Sequence, residues 1–310
     1  MYCNSPEVKR NGRSITGKQR YLCLICTRSY YWNEYQEKAS RRYSWFKQWI
    51  EEGYSVRELA KMKRTSQSTV RRVINYWLKQ TPPNQNQDYS ETKHLILDGT
   101  FLHRPTCIYA AMDSQTHRLV LAAYNIKENP SDLMSFYGYL AEAGMSPKSA
   151  TTDGNAVQGK QLKKLWPDIQ LQRCIVHVQR QGLSWCRRIP KRTDAKHLRE
   201  LFLNLTRVKA KQEAQKFIKA VFAWEKRFGS PIESSPNRGK VFSDVIRARS
   251  MLLKALPNLF LYLDDSNIAR STNAVEGYFS RLKEHYRLHR GLSKTNRYNY
   301  FKWYFYLKQK

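Results

Sequence analysis

The chain is short of acid. Of its 310 residues, 25 are Asp or Glu against 55 Lys or Arg, giving a formal charge of +30 at pH 7 and a pI near 10.0. Such an imbalance speaks to partners rather than fold and points to a polyanion: DNA, RNA or an anionic membrane. The sequence also lacks any run of about 18 uninterrupted apolar residues, which excludes a helical membrane span. The opening "MYCNSPEVKR" has no apolar core of the kind a secretory signal carries. The six cysteines, Cys3, Cys23, Cys26, Cys107, Cys174 and Cys186, are spread unevenly and suit a reducing compartment better than a disulfide framework. No internal repeat is present, so a repeat array is excluded. A soluble intracellular nucleic-acid binder is therefore favoured, and no small-molecule cofactor is expected. At about 150 residues per domain, it should hold two or three domains.

The chain reads as three blocks. Residues 1–80 hold 17 Lys/Arg against 6 Asp/Glu and end at "TPPNQNQDYS", whose prolines and polar run mark a linker. The second block alternates short apolar runs with helical patterns. "KHLILD", "TCIYAAMD" and "RLVLAAYNI" read as three strands of an antiparallel meander. "NPSDLMSFYGYLAEAG" follows as a helix with Ser131 and Asp132 as capping candidates and Gly144 as its stop. "KSATTDG" is a short strand, "NAVQGKQLKKLWP" a helix stopped by Pro167, and "DIQLQRCIVHV" a fifth strand. The order is therefore β-β-β-α-β-α-β. The third block is helical, interrupted by a loop at Gly229–Lys240, and closes in a basic helical segment.

Three carboxylates stand out. Asp98 ends the apolar run "LIL" and precedes Gly99; Asp153 ends "SATT" and precedes Gly154; Glu276 begins a helix in "STNAVEGYFSRLKEHYR". Taken singly, Asp-Gly is a common turn pair, and Glu276 a helix N-terminal charge. Asp113 also ends a strand, but Ser-Gln-Thr follows, so it reads as a hairpin turn. Converging on one sheet edge, three acids would repel unless a cation neutralised them. Mg²⁺ or Mn²⁺ suits oxygen ligands, and a pair of such ions suits phosphodiester chemistry. The basic surface would then hold the polyanion.

In the first block, "GYSVRELAKMKRTSQSTVRRVINYWLKQ" carries two helical apolar faces, Val56, Leu59, Ala60 and Met62, then Val70, Val73, Ile74, Trp77 and Leu78. Thr65 or Ser66 would cap the second. This is the pattern of a helix-turn-helix, with Gln67, Ser68, Arg71 and Arg72 as groove-facing candidates. A plain helical hairpin with a solvated basic face is the competing reading. In the last segment, Arg281, Lys283, Arg287 and Arg290 interleave with aromatics, as a phosphate-tracking surface would. Phe279, Leu282 and Tyr286 form its apolar face.

"ILDGTF", "TTDGNAV", "CIVH" and "STNAVEGYFSRLKEHYR", in that order, resemble the DDE transposases of the Mutator-like superfamily and related bacterial insertion sequences. The resemblance covers residues 93–310. It implies an RNase H-like sheet interrupted by an all-helical insertion, and the long gap from Asp153 to Glu276 agrees with it. Residues 93–178 would form the first part of the catalytic domain, 179–268 the insertion and 269–310 the last part; residues 81–92 would be the linker and 36–80 the helix-turn-helix. Asp98, Asp153 and Glu276 would bind two Mg²⁺ or Mn²⁺ for DNA cleavage and strand transfer at element ends. Double-stranded DNA, terminal repeats and target, would be the partner, with a homo-oligomer acting on it in a prokaryotic cytoplasm. Cys174 and His177 match the superfamily's Cys-x-x-His, implying a place beside the active site. From spacing alone, a buried thiol and a hydrogen-bonded histidine are the favoured reading. Residues 1–35 resemble the zinc ribbon of some such transposases. Cys3, Cys23 and Cys26 would then be three Zn²⁺ ligands of a truncated site whose fourth member falls before Met1; reduced structural thiols are the alternative. Two other readings compete with the enzyme: a non-catalytic DNA-binding protein derived from one, and an RNase H-like nuclease acting on RNA or branched DNA.

Overall fold

The computed structural model describes residues 6–31, 34–83, 88–103, 106–233 and 240–308. In chain order the elements are β1 (Val8–Arg13), β2 (Gln19–Cys23), β3 (Ser29–Tyr30), α1 (Glu34–Glu51), α2 (Val56–Met62), α3 (Gln67–Leu78), β4 (His94–His103), β5 (Thr106–Asp113), β6 (Leu119–Ile126), α4 (Pro130–Glu142), β7 (Ser149–Thr152), α5 (Ala156–Leu165), β8 (Gln170–Arg173), α6 (Ile175–Cys186), α7 (Thr193–Leu205), α8 (Lys211–Glu233), α9 (Lys240–Ala255), α10 (Asn273–Arg287) and α11 (Lys294–Lys308). The chain divides into two compact units, 1–81 with 285–307, and 82–284 with 308–310.

In the first unit, β1, β2 and β3 form an antiparallel sheet. Ser55 and Glu58 start α2 with a reciprocal cap: Glu58 N–H donates to Ser55 Oγ (3.2 Å) and Ser55 N–H to Glu58 Oε2 (2.7 Å). Ser66, one of the two expected caps, accepts the Thr69 N–H at 3.2 Å and starts α3. Leu59 and Ala60 of α2 meet Val70, Val73, Ile74 and Leu78 of α3 in the core. Met62, expected on the apolar face, is instead 51% exposed, at the last position of α2. The rings of Phe46, Trp77 and Trp303 cluster, and the Trp303 indole donates to the carbonyls of Trp77 (3.0 Å) and Gln80 (3.1 Å). The sequence reading assigned 269–310 whole to the sheet unit. The chain divides within that segment instead, because the aromatic face of α11 completes this core.

The second unit is mixed α/β. Its five-stranded sheet has the order β6-β5-β4-β7-β8, antiparallel from β6 to β4 and parallel from β4 to β8. The expected strand and helix order is present. Its core joins Leu95, Leu97, Tyr109 and Ala111 of the sheet to Leu133, Phe136, Tyr137 and Leu140 of α4 and Leu162 of α5. The apolar run of β4 is buried on both faces, as a central strand requires.

Three boundaries differ from expectation. The cap of α4 is Asn129, not Ser131 or Asp132; Asn129 Oδ1 accepts the Asp132 N–H at 2.9 Å. The last strand stops at Arg173, because Cys174 caps α6 and the chain turns helical there. The expected loop at 229–240 is helical through Glu233, and residues 234–239 lie outside those described. Helices α6 to α9 enclose an apolar core of their own, including Leu198, Phe202, Val221, Val245 and Leu252. This accounts for an all-helical excursion between the last strand and α10. Among the described residues, no helix is long and apolar enough to cross a membrane.

Candidate functional site

Each acid reaches the sheet edge by its own device. On one side β4 pairs with β5 along its whole length, to His103; on the other it pairs with β7 only from His94 to Ile96. Asp98 is therefore not at a strand end, as expected, but two residues beyond the last parallel pair, inside a strand held by its antiparallel neighbour. Its side chain is nearly enclosed, 9% exposed, with Oδ1 accepting the Gly99 N–H at 2.8 Å. Burial raises its pKa to about 7; His177 and the Gly99 N–H oppose the rise, and Asp153 and Glu276 add to it.

Asp153 follows β7 directly. Its Oδ1 accepts the N–H of Asn155 at 2.9 Å, and Asn155 Oδ1 accepts the N–H of Val157 at 2.9 Å, capping α5. Gly154 stands at φ +86, where L side chains are strained, and a Cβ there would overlap the Arg173 guanidinium. Arg173 in turn donates to the Asp153 carbonyl. Glycine is thus required by both torsion and space. Asp113, by contrast, is the hairpin turn it resembles, with Oδ1 accepting from the N–H groups of Gln115 (3.0 Å) and Thr116 (2.6 Å).

Glu276 sits in the first turn of α10, and the segment before it is fastened to the sheet and to α6. Ser114 Oγ donates to the Asn267 carbonyl (2.7 Å), Thr151 Oγ1 to that of Ala269 (2.5 Å), and Ile175 N–H to that of Arg270 (3.2 Å). Thr272, fully buried, donates its N–H to Cys174 Sγ at 3.3 Å and its hydroxyl to Glu276 Oε1 at 3.3 Å. These bonds bring Glu276 to Asp98 across the helical excursion.

Ligand atoms of Asp98, His177 and Glu276 all lie within 4.8 Å of one another. His177 Nε2 is 3.8 Å from Glu276 Oε1, and Arg180 Nη1 is 3.1 Å from Glu276 Oε2. The hydrogen bond to Cys174 raises His177 to about 9, with Asp98 and Glu276 adding to the rise against burial. Asp153 falls outside the 4.8 Å group. It lines an adjacent cavity of about 420 Å³ with Arg173, His177 and Arg180. Asp98 and Glu276 are the carboxylates here that could hold a divalent cation, while His177, raised to about 9, is an imidazolium at neutral pH and balances their charge. Cys174 is not a ligand in this arrangement: it is fully buried and caps α6, accepting the His177 N–H at 3.5 Å. Burial alone would raise the thiol, but hydrogen bonds to His177 and Thr272 outweigh it and hold it below the usual thiol range.

Of the basic candidates, Gln67, Ser68, Arg71 and Arg72 are all exposed on α3. Arg71 donates to Gln67 Oε1 at 3.1 Å and Arg72 to Thr69 Oγ1 at 3.3 Å, so both guanidiniums lie along the helix surface. Arg281, Lys283, Arg287 and Arg290 are exposed too, and Lys283 reaches Thr100 Oγ1 at 2.5 Å. At the N-terminus, Cys23 is buried at the end of β2 and accepts the Cys26 N–H at 3.5 Å. Cys3 lies outside the described residues. Among those described, Cys23 and Cys26 belong to no group of three candidate metal ligands.

Sequence reasoning missed Arg173 and Arg180, which line the cavity beside the acids, and four further contributors. Arg57, Lys61 and Arg64 line a groove of about 640 Å³ with Ser66 and Gln67 at the start of α3. Their charges were visible in the sequence, but not their convergence. The fourth, Glu128 in "IKENPSD", stands in the loop before α4 with no motif around it. No protein-family model matches the chain, and no curated protein matches it.

Proposed function

We propose that this chain is a DDE transposase akin to the Mutator-like superfamily, which binds duplex DNA through α2 and α3 and cuts and joins it at the acids around Asp98. The observation that carries the reading is the meeting of Asp98 and Glu276. They are far apart in sequence, on a central strand and a helix beyond the insertion, yet they offer ligand atoms within 4.8 Å of each other and of His177 in a chain of charge +30. The strand order supports an RNase H-like sheet, and the separate core of α6 to α9 supports its helical insertion.

In this reading Asp98, Asp153 and Glu276 hold Mg²⁺ or Mn²⁺. The bound cation would lower the pKa of a water or a DNA 3′-hydroxyl and neutralise charge on the scissile phosphate. The chain's own residues do the rest. Arg173 and Arg180, on the wall of the adjoining cavity, meet phosphate oxygens. His177 balances the charge of the carboxylates. In cleavage, water oxygen bonds to phosphorus, the P–O3′ bond breaks, and the 3′-oxygen leaves as a hydroxyl. In joining, that hydroxyl attacks a phosphodiester of the target, releasing a hydroxyl from it. Exposed Arg71, Arg72 and the Arg57–Lys61–Arg64 groove provide the phosphate contacts that hold the duplex. Cys23 and Cys26 would supply two ligands of a zinc-binding segment.

The second reading, a transposase-derived DNA-binding protein without catalysis, has one observation in its favour. Glu276 is already paired with Arg180 and His177. Incubating the full chain with supercoiled plasmid separates the two. Nicking with Mn²⁺ that EDTA and Asp98→Asn both abolish is the expected result. Duplex binding without nicking at any Mn²⁺ concentration selects the non-catalytic reading.

A further inference from the structure

The geometry points to Glu128 as a positioning residue that braces the strand segment at Asp98 against the turn at Asp153 and so sets the cation affinity of the site. This inference rests on the proposed function and goes beyond the acids that reading uses.

Glu128 belongs to neither segment. It lies between β6 and α4, and its two carboxylate oxygens face different partners. Oε2 accepts from Asn155 Nδ2 at 3.0 Å. Asn155 passes that restraint on twice, donating its own N–H to Asp153 Oδ1 (2.9 Å) and capping α5 with Oδ1 (2.9 Å to the Val157 N–H). Oε1 lies over Gly99, the residue after Asp98, so closely that a Cβ on Gly99 would overlap it. Cys107, paired with Phe101 across the β4–β5 ladder, approaches the same oxygen with its thiol at 3.8 Å. One side chain therefore touches the neighbour of one aspartate and the hydrogen-bond donor of the other.

A ligand role is disfavoured by the same geometry, because both Glu128 oxygens are turned to the protein, Oε2 to Asn155 and Oε1 to Gly99 and Cys107. Placing a half-buried carboxylate beside Asp153 is unfavourable, since burial and the Asp153 charge both raise its pKa. A carboxylate serving only to fill space would leave both partners free to move. Outer-sphere partners of metal-binding carboxylates typically change affinity by about 10–100-fold when removed.

The test is a Mn²⁺ titration of the full chain, followed by water-proton relaxation, on wild type, Glu128→Ala, Glu128→Gln and Asn155→Ala. It is paired with hydrogen exchange at the Asn155 backbone amide in the absence of metal. Glu128→Ala and Asn155→Ala should each weaken Mn²⁺ by about 10–100-fold, and Glu128→Ala should speed exchange at Asn155. Glu128→Gln keeps an oxygen acceptor for Asn155 and should restore both readouts to within about threefold of wild type. Wild-type affinity in Glu128→Ala overturns the inference. So does a Glu128→Gln as weak as Glu128→Ala, because charge rather than the hydrogen bond would then be what matters. A folded wild type that binds no Mn²⁺ sinks the proposed function instead. The exchange measurement still decides for or against Glu128 in that event: unchanged protection in Glu128→Ala removes the brace.

Discussion

Cys174 Sγ accepts the backbone N–H of Thr272 at 3.3 Å, and both residues are fully buried. This single hydrogen bond joins the start of α6 to the residue one helical turn before Glu276. The Cys-x-x-His pair is thus a clamp on the carboxylate's helix, with the thiol itself fully buried.

Replacing the thiol should loosen that clamp. Cys174→Ala removes a helix cap and leaves the Thr272 N–H without its acceptor, at a cost of about 1–2 kcal/mol. Cys174→Ser, which keeps an acceptor, should recover most of it. Thermal unfolding of the three proteins checks the order, and equal stability of wild type and Cys174→Ala removes the clamp.

Cation binding should depend on pH through Asp98. Its carboxyl titrates at about 7, and binding requires the ionised form, so protons compete with the cation. Mn²⁺ affinity should climb as pH rises from about 6 to about 8 with the ionisation of Asp98, and further through about 9 as His177 loses its positive charge beside Glu276. A flat profile across that range would dissociate Asp98 from the site.

The same burial bears on stability without metal. Asp98 is raised from 3.8 to about 7, so between those values the folded state binds a proton the unfolded state does not. Stability from this group is therefore full at low pH and is lost as pH rises toward 7. His177, raised from 6.5 to about 9, acts in the same sense over the next window: its contribution is full below 6.5 and lost as pH rises through 9. In EDTA at about pH 8, above the Asp98 window, Asp98→Asn should consequently unfold at a higher temperature than wild type. Mn²⁺ should raise the wild-type transition alone. A lower transition in Asp98→Asn would contradict the burial argument.

Duplex binding should follow the α3 arginines. Removing Arg71 and Arg72 together should lower the slope of log K against log salt by about 2, one unit for each phosphate no longer neutralised. Unchanged slope and affinity would take α3 off the DNA.

Much of this was legible in the residues. The alternation of strand and helix, the Ser66 cap and the buried face of α3 follow from apolar spacing and capping chemistry, and the hairpin at Asp113 follows from its turn residues. Asp98 was singled out because a carboxylate interrupts an apolar run. Its place inside a long strand was not visible, because strand length there is decided by pairing with β5. Glu128 and the Arg57–Lys61–Arg64 groove were hidden for a similar reason. Their significance lies in who stands opposite, and that is set by tertiary packing. The α11 segment showed its aromatics plainly, but sequence order put it with the sheet, whereas packing put it with α1 and α3.

The hydrogen bond from Ile175 N–H to the Arg270 carbonyl, at 3.2 Å, closes the helical excursion on itself. The chain departs and comes home at one point, so the four helices between are a detour with a fixed door. Only the first turns of α6 are bound to the acids, through His177 and Arg180, both paired with Glu276. Beyond those turns, length and composition inside the detour bear on Glu276 only through how they hold α6 and the segment before α10 in place. Helical excursion and candidate site are, in this sense, two parts of one polypeptide hinged at α6.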